Sequence, residues 1–299
     1  MLSVCGGDDP VAVAKVLRGR VANEVLSVHR YEDELRGAVV ERAASGDGPT
    51  PVISPVCPAV TNLVEVKFPA LLEHLAPFAS PWEAAQQDLL GRAATFVVSC
   101  PSQRTALLAQ HPTAQRDTVT AATVQQAVSP LLAARARSGS RRATVPPEPG
   151  RTDDLLVVTG VSHTTAVLEA VEDDRLPGVS VIEPYLCDGG CFGSPLLTED
   201  AYVAAWRWAT TGGCAPGAGR RHDRAHAFRA RPGIRLDADM AVAIRKLARL
   251  DAETTALPAR DCGVCGAPTC AALAEDIVMG RASQALCPYV IPEEKEDGA

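Results

Sequence analysis

The sequence has 299 residues, enough for about two domains with complete hydrophobic cores. Its 46% hydrophobic and 22% charged residues are typical of a globular protein, and a formal charge of −7 argues against nucleic acid as the main partner. No run approaches the roughly 18 uninterrupted apolar residues of a membrane span. The start, MLSVCGGDDPVAV, lacks the basic and apolar regions of a signal peptide. We therefore expect a cytoplasmic protein whose cysteines stay reduced, with no membrane contact.

Three apolar runs along the chain each end in a cysteine. TPVISPV precedes Cys57, ATFVVS precedes Cys100, and VSVIEPYL precedes Cys187. Such nearly continuous β-branched runs predict buried parallel strands. Proline follows Cys57 and Cys100 directly, and leucines and valines then recur at helical spacing. Both thiols are therefore expected at strand-to-helix junctions, at the carboxyl ends of strands.

A fourth strand is predicted at LLVVTG (155–160), and the helical pattern SHTTAVLEAVE follows, with Ser162 as the predicted N-cap. This alternation predicts an α/β fold, in which sites form beyond the carboxyl ends of the strands. The segment CDGGC adds Cys191 to Cys187 across two glycines that let the backbone curl around a metal. For Cys57 or Cys100 alone, a buried apolar thiol is the alternative. Two cysteines separated by glycines do not suit a hydrophobic core, so this alternative does not apply to Cys187 and Cys191.

The C-terminal region holds a second set of four cysteines. Cys262, Cys265, Cys270 and Cys287 have the spacing Cys-x2-Cys-x4-Cys-x16-Cys. Cys270 opens a predicted amphipathic helix that turns Leu273, Ile277 and Val278 inward and ends near Gly280. Four thiols suit an iron–sulfur cluster or a structural zinc. The pattern favours the cluster, because zinc ribbons usually have two Cys-x2-Cys knuckles. Cys5 and Cys214 belong to neither set.

Two polar stretches divide the chain. A linker at about 136–154 separates the halves of an α/β body over 1–211, and a glycine- and arginine-rich linker spans 212–235. The third part, 236–299, is expected to contain an amphipathic packing helix at 236–253 and the small helical cysteine module. The apolar face of that helix carries Met240, Ala243, Ile244 and Leu247. No Walker loop, dinucleotide fingerprint or nucleophile elbow is found.

With the thiols in place, the chain resembles the C-terminal domain of the iron-only (FeFe) hydrogenase large subunit. It is most similar to the sensory or regulatory branch with an added C-terminal cysteine module. The resemblance runs from about residue 10 to 292 and is strongest in 51–85, 182–204 and the C-terminal module. It implies a two-lobed body with a cluster at the strand ends. It also implies two 4Fe–4S clusters, one on each cysteine set: Cys57, Cys100, Cys187 and Cys191, and Cys262, Cys265, Cys270 and Cys287. Cys191 would bridge to a diiron subsite if one were bound, and Glu183 is also shared.

Several residues depart from the pattern of catalytic members. The proton-transfer cysteine expected before the first ligand is Val56, and the lysine that bonds a cyanide of the diiron subsite is Gln103. Methionine–proline before the second ligand is replaced by Val98 and Ser99, and an expected glutamate by Ala106. The resemblance thus implies a complete 4Fe–4S site beside a diiron site that lacks its catalytic residues.

Three functions follow from these residues. The first is a non-catalytic iron–sulfur protein for electron transfer or for redox or hydrogen sensing, with ferredoxin or another redox protein as partner. The second is a divergent hydrogenase that holds the diiron subsite and turns over hydrogen with ferredoxin. The third is a structural protein with zinc on its thiols.

Overall fold

Two small parallel sheets and ten helices make up the described part of this computed structural model, which covers residues 10–20, 22–110, 118–133, 155–197, 199–210, 220–231, 236–267 and 269–290. The strands are β1 (Val52–Ile53), β2 (Phe96–Val98), β3 (Thr118–Thr120), β4 (Leu155–Thr159) and β5 (Val181–Tyr185). One sheet has the order β1-β5-β4 and the other pairs β2 with β3, all in parallel. The predicted α/β class with parallel strands is confirmed.

Each strand is followed along the chain by a helix, in the α/β manner. The helices are α1 (Pro10–Arg20), α2 (His29–Ser45), α3 (Pro58–Lys67), α4 (Pro81–Asp88), α5 (Pro101–Gln110), α6 (Ala121–Ala133), α7 (Val161–Glu172), α8 (Ala201–Thr210), α9 (Met240–Ala256) and α10 (Cys270–Val278). Short 3-10 helices lie at Pro69–His74, Gly190–Gly193 and Gln284–Leu286. As predicted, α3 and α5 begin at the prolines that follow Cys57 and Cys100.

The main core lies against the three-stranded sheet. Ile53 of β1 and Ile182 of β5 pack with Val64 of α3 and Leu168 of α7, all fully buried. β1 comes from the N-terminal half of the body and β4 and β5 from the C-terminal half. The two halves therefore share one sheet across the predicted linker at 136–154, which lies outside the described residues, as do Cys5 and Cys214.

Two local predictions are wrong. Gly160, not Ser162, precedes α7, and it takes a positive φ of 91° while Thr164 N–H bonds to its carbonyl. Ser162 consequently lies inside the helix. The apolar residues Met240, Ile244 and Leu247 of α9 are 75%, 60% and 57% exposed, so this face is not the one that packs. α9 instead contacts α10, and Leu250 joins the C-terminal core.

Candidate iron–sulfur site

Three of the four body cysteines follow the carboxyl ends of strands, as the sequence predicts. Cys57 follows β1 and is the residue before α3, and Cys187 follows β5, the neighbour of β1 in the same sheet. Cys100 follows β2 of the second sheet and precedes α5. Cys191 lies in the 3-10 helix Gly190–Gly193. The site therefore joins both sheets.

The four body thiols are close enough for their charges to act on one another. Burial raises the pKa of Cys100 to about 11, and the charge of Cys57 adds to it. Burial also raises the pKa of Cys187, with Cys100 and Cys57 as the next causes. The pKa of Cys191 is raised by burial, then by Glu32 and the three other thiols. These raised pKa values keep the thiols protonated, and a cationic centre bound among them would replace their protons.

Backbone donors partly offset the effect of burial. The N–H group of Leu186, and then those of Val60 and Ala59 in the first turn of α3, lower the pKa of Cys57 against the larger effect of burial. The N–H groups of Gln103 and Ser102 act likewise on Cys100. Helix N-termini favour anions, and a thiolate-bound cluster is anionic.

The CDGGC loop is closed by glycine. Gly189 and Gly190 have φ values of 75° and 71°, and Gly190 N–H bonds back to the Cys187 carbonyl at 3.0 Å. A Cβ on Gly193 would overlap the Asp188 carbonyl. The loop can therefore bring Cys191 back toward Cys187 only with small residues at these positions.

A charged network lies beside the CDGGC loop. Arg36 of α2 donates to both carboxylate oxygens of Glu183, at 2.6 and 2.7 Å, and Tyr185 OH donates to Glu183 at 2.7 Å. Glu183 is buried in β5, two residues before Tyr185. Its negative charge is therefore matched by a bidentate guanidinium.

Two positions at which the sequence departs from the pattern of catalytic FeFe hydrogenases, Val56 and Gln103, are buried and carry no charge. Val56 is 6% exposed, and Gln103 is 6% exposed on the first turn of α5. The Gln103 side-chain oxygen accepts a hydrogen bond from Ser99 at 3.4 Å. Neither side chain supplies a positive charge or a titrating group.

The C-terminal cysteines surround the start of α10. Thr269 caps this helix by accepting from Ala272 N–H, and Leu273, Ile277 and Val278 are buried as predicted. Gly280 follows with a φ of 72°. Burial raises the pKa of Cys265 to about 11, and Cys262, Cys287 and Cys270 add to it. These four thiols also lie within reach of one another's charge.

All eight cysteines in the described part of the chain are free thiols. Two all-sulfur sets of four have the donor chemistry of Cys₄ iron–sulfur clusters, which zinc also accepts. Within the described ranges, no three His, Cys, Asp or Glu side chains surround a point that a single metal ion could occupy. A four-iron cluster binds each cysteine through a different iron, so its ligands need not converge on one point. The donor sets therefore fit the cluster.

Comparison with known proteins supports this chemistry at both ends of the chain. Residues 15–89 match the family model described as iron only hydrogenase large subunit, C-terminal domain. Residues 257–289 match the model described as putative Fe-S cluster, and this span contains all four C-terminal cysteines. The predicted resemblance is confirmed by these matches, which together support an iron–sulfur protein on a hydrogenase-like scaffold. No curated protein matches the sequence.

Among solved structures, the chain is similar to FeFe hydrogenases. One structure, from work on oxygen inactivation of the H cluster, has 14% identity and a TM-score of 0.48 over 72% of this chain and 81% of the other. A variant of HydA1 from Chlamydomonas reinhardtii has 13% identity and a TM-score of 0.47 over 73% and 82%. No helix within the described ranges is long and apolar enough to cross a membrane.

Some residues near the site were not predicted. Arg36, the partner of Glu183, lies 147 positions away in sequence, in a helix without a motif. Ser102, Thr105 and Asn62 contact the C-terminal cysteine loop and also carry no sequence signal. Only the position of Ser102, two residues after the predicted ligand Cys100, could have indicated that it lies near the site.

Proposed function

We propose that this protein binds two 4Fe–4S clusters and acts in electron transfer or in redox or hydrogen sensing, with ferredoxin or another redox protein as its partner in the cytoplasm. The observation that supports this most is the match of residues 257–289 to an iron–sulfur family, together with a second set of four thiols at the strand ends. Each cluster would supply a site that stores one electron. The eight cysteines hold the clusters, and the buried strand ends exclude water from the body site.

The test is metal and sulfide analysis of the full chain purified without oxygen. We expect about eight irons and eight sulfides per chain, as two cubanes require. Replacing Cys57 and Cys100 by serine, or Cys262 and Cys265 by serine, should each remove about half of the iron. Cys214→Ser, outside both sets, is the control. About one zinc per chain without sulfide would instead support the structural alternative.

We further propose that the protein turns over hydrogen weakly or not at all. Gln103 holds an anionic ligand less strongly than a lysine, because a charged donor makes the stronger hydrogen bond. Val56 can neither give nor take a proton, and loss of a positioned acid–base group typically costs on the order of 10²–10⁴ in rate.

We test the proposed lack of hydrogen turnover by expressing the chain with hydrogenase maturation proteins. Hydrogen evolution is then measured with reduced ferredoxin as the electron donor. Carbonyl and cyanide infrared bands together with activity comparable to a catalytic hydrogenase would establish the divergent enzyme instead. A spectrum with cubanes alone is the expected result.

A further inference from the structure

The two cysteine sets meet at a hydrogen-bonded seam. Its body side consists of Asn62, Ser102 and Thr105, and its C-terminal side is the loop 263–266. Ser102 Oγ lies 2.7 Å from the carbonyl oxygen of Val264, and Thr105 Oγ1 lies 3.4 Å from that of Cys265. Asn62 donates to the carbonyl of Gly266. Asn62 and Ser102 therefore bind carbonyls of one loop, and Thr105, whose hydroxyl lies closer to the Pro101 carbonyl of its own helix at 3.1 Å, contacts a third.

The seam connects residues next to ligands on both sides. Ser102 is two residues after Cys100, and the loop that it binds lies between Cys262 and Cys265. Leu186, which precedes Cys187, packs so closely on Gly263 that a Cβ there would overlap its Cδ1. The two candidate cluster sites are thus neighbours.

The seam also resists separation. Ser102 is only 1% exposed, and Val264 and Cys265 are buried. A buried carbonyl that loses its donor costs about 1–3 kcal/mol, because water cannot readily replace the bond. Asn62 and Ser102 lie on α3 and α5, the helices that begin after Cys57 and Cys100. The loop is therefore fixed to the same rigid elements that place two body ligands.

We propose that Asn62, Ser102 and Thr105 are positioning residues that hold the C-terminal cluster at a fixed, short separation from the body cluster, so that the two form one coupled pair. This inference rests on the proposed function, since it requires both clusters. A fixed short separation would let the charge of one reduced cluster act on the other in a low-dielectric setting, and would suit one-electron exchange within a single chain.

Two readouts on the full chain, purified without oxygen, test the role. The first is electron paramagnetic resonance after reduction with dithionite. We expect signals split or broadened by magnetic interaction between two nearby clusters. The double variant Ser102→Ala/Thr105→Val should weaken this splitting while iron and sulfide stay near eight. Ser54→Ala is the matched control, because Ser54 is a buried serine whose hydroxyl has no partner among the described residues.

The second readout is amide hydrogen exchange in loop 263–266, where Gly266 N–H bonds to the Gly263 carbonyl. Ser102→Ala should speed exchange there about tenfold, since tenfold corresponds to about 1.4 kcal/mol, within the range for a lost buried hydrogen bond. Ser54→Ala should leave it unchanged. About eight irons with unsplit signals in the unaltered protein would overturn the inference and leave the proposed function intact. Absence of iron would overturn both, and equal exchange in the two variants would refute the positioning role.

Discussion

At the scale of single residues, the Arg36–Glu183 pair fixes α2 to β5 and is expected to contribute to stability. Glu183 is buried, whereas the Arg36 side chain is 39% exposed. Removing one partner of a fully buried pair costs about 3–5 kcal/mol, and partial exposure reduces this. We expect Arg36→Met to lower the free energy of unfolding by about 2–3 kcal/mol in denaturant titrations. Arg175→Met, which breaks an exposed pair with Asp173, should cost less than about 0.5 kcal/mol. Equal losses of unfolding free energy in the two variants would show that the Arg36–Glu183 pair contributes no more than an exposed ion pair.

His29 gives a prediction about pH. Its Nδ1 lies 3.0 Å from Glu32, and this hydrogen bond is the main cause that raises the His29 pKa. A raised pKa in the folded state means that the imidazolium adds stability below the unfolded value near 6.5, and that this stability is lost as pH rises through the folded value. His29→Gln should therefore cost more stability at pH 5.5 than at pH 8.5 in urea titrations. A cost independent of pH would show that the ion pair contributes nothing.

At the scale of elements, the CDGGC turn is the most sensitive to a small change. A Cβ on Gly193 would overlap the Asp188 carbonyl, so Gly193→Ala must open the turn and displace Cys191. We expect this variant to lose about half of its iron, from the body site alone. Gly37→Ala in α2 meets nothing within 4 Å and should keep all of it, with stability unchanged or raised by up to about 1 kcal/mol. Full iron in both variants would show that the turn accommodates the methyl group without displacing Cys191.

Sequence patterns predicted the elements that carry the cysteines because local signals mark them. The β-branched runs, the prolines after Cys57 and Cys100, and the leucine spacing of α10 are all visible within a few residues. The sheet order β1-β5-β4, the Arg36–Glu183 pair and the seam at Ser102 depend on residues more than a hundred positions apart, which no local pattern encodes. The exposed apolar face of α9 shows the same limit, since helical periodicity identifies a face without saying what covers it.

At the scale of the whole molecule, the body and the C-terminal part have separate cores, joined by hydrogen bonds, an ion pair and the packing of Leu186 on Gly263. The core on the three-stranded sheet includes residues from Ile53 to Phe228, whereas the C-terminal core runs from Leu250 to Val290. Between them, the stretch 220–231 lies along the body, where Ala79 N–H bonds to the His222 carbonyl and Arg224 pairs with Glu83 at 2.9 Å. Arg231 bonds to Asn62 of the body and lies 3.7 Å from Asp276 of α10.

These separate cores predict that a shortened chain ending at residue 235 still folds. It keeps the sheet, Phe228 and the body cysteines, and it loses the partners of Asn62, Ser102 and Thr105. Because water can reach those donors once the C-terminal part is gone, we expect a loss of only about 1–3 kcal/mol, with a cooperative unfolding transition. Iron should fall to about four per chain. The control is the full chain with Cys262→Ser and Cys265→Ser, which should lose the same iron but keep the seam. If the shortened chain shows no cooperative transition while this control does, the two parts form a single folding unit, and the division of the chain at 235 is wrong.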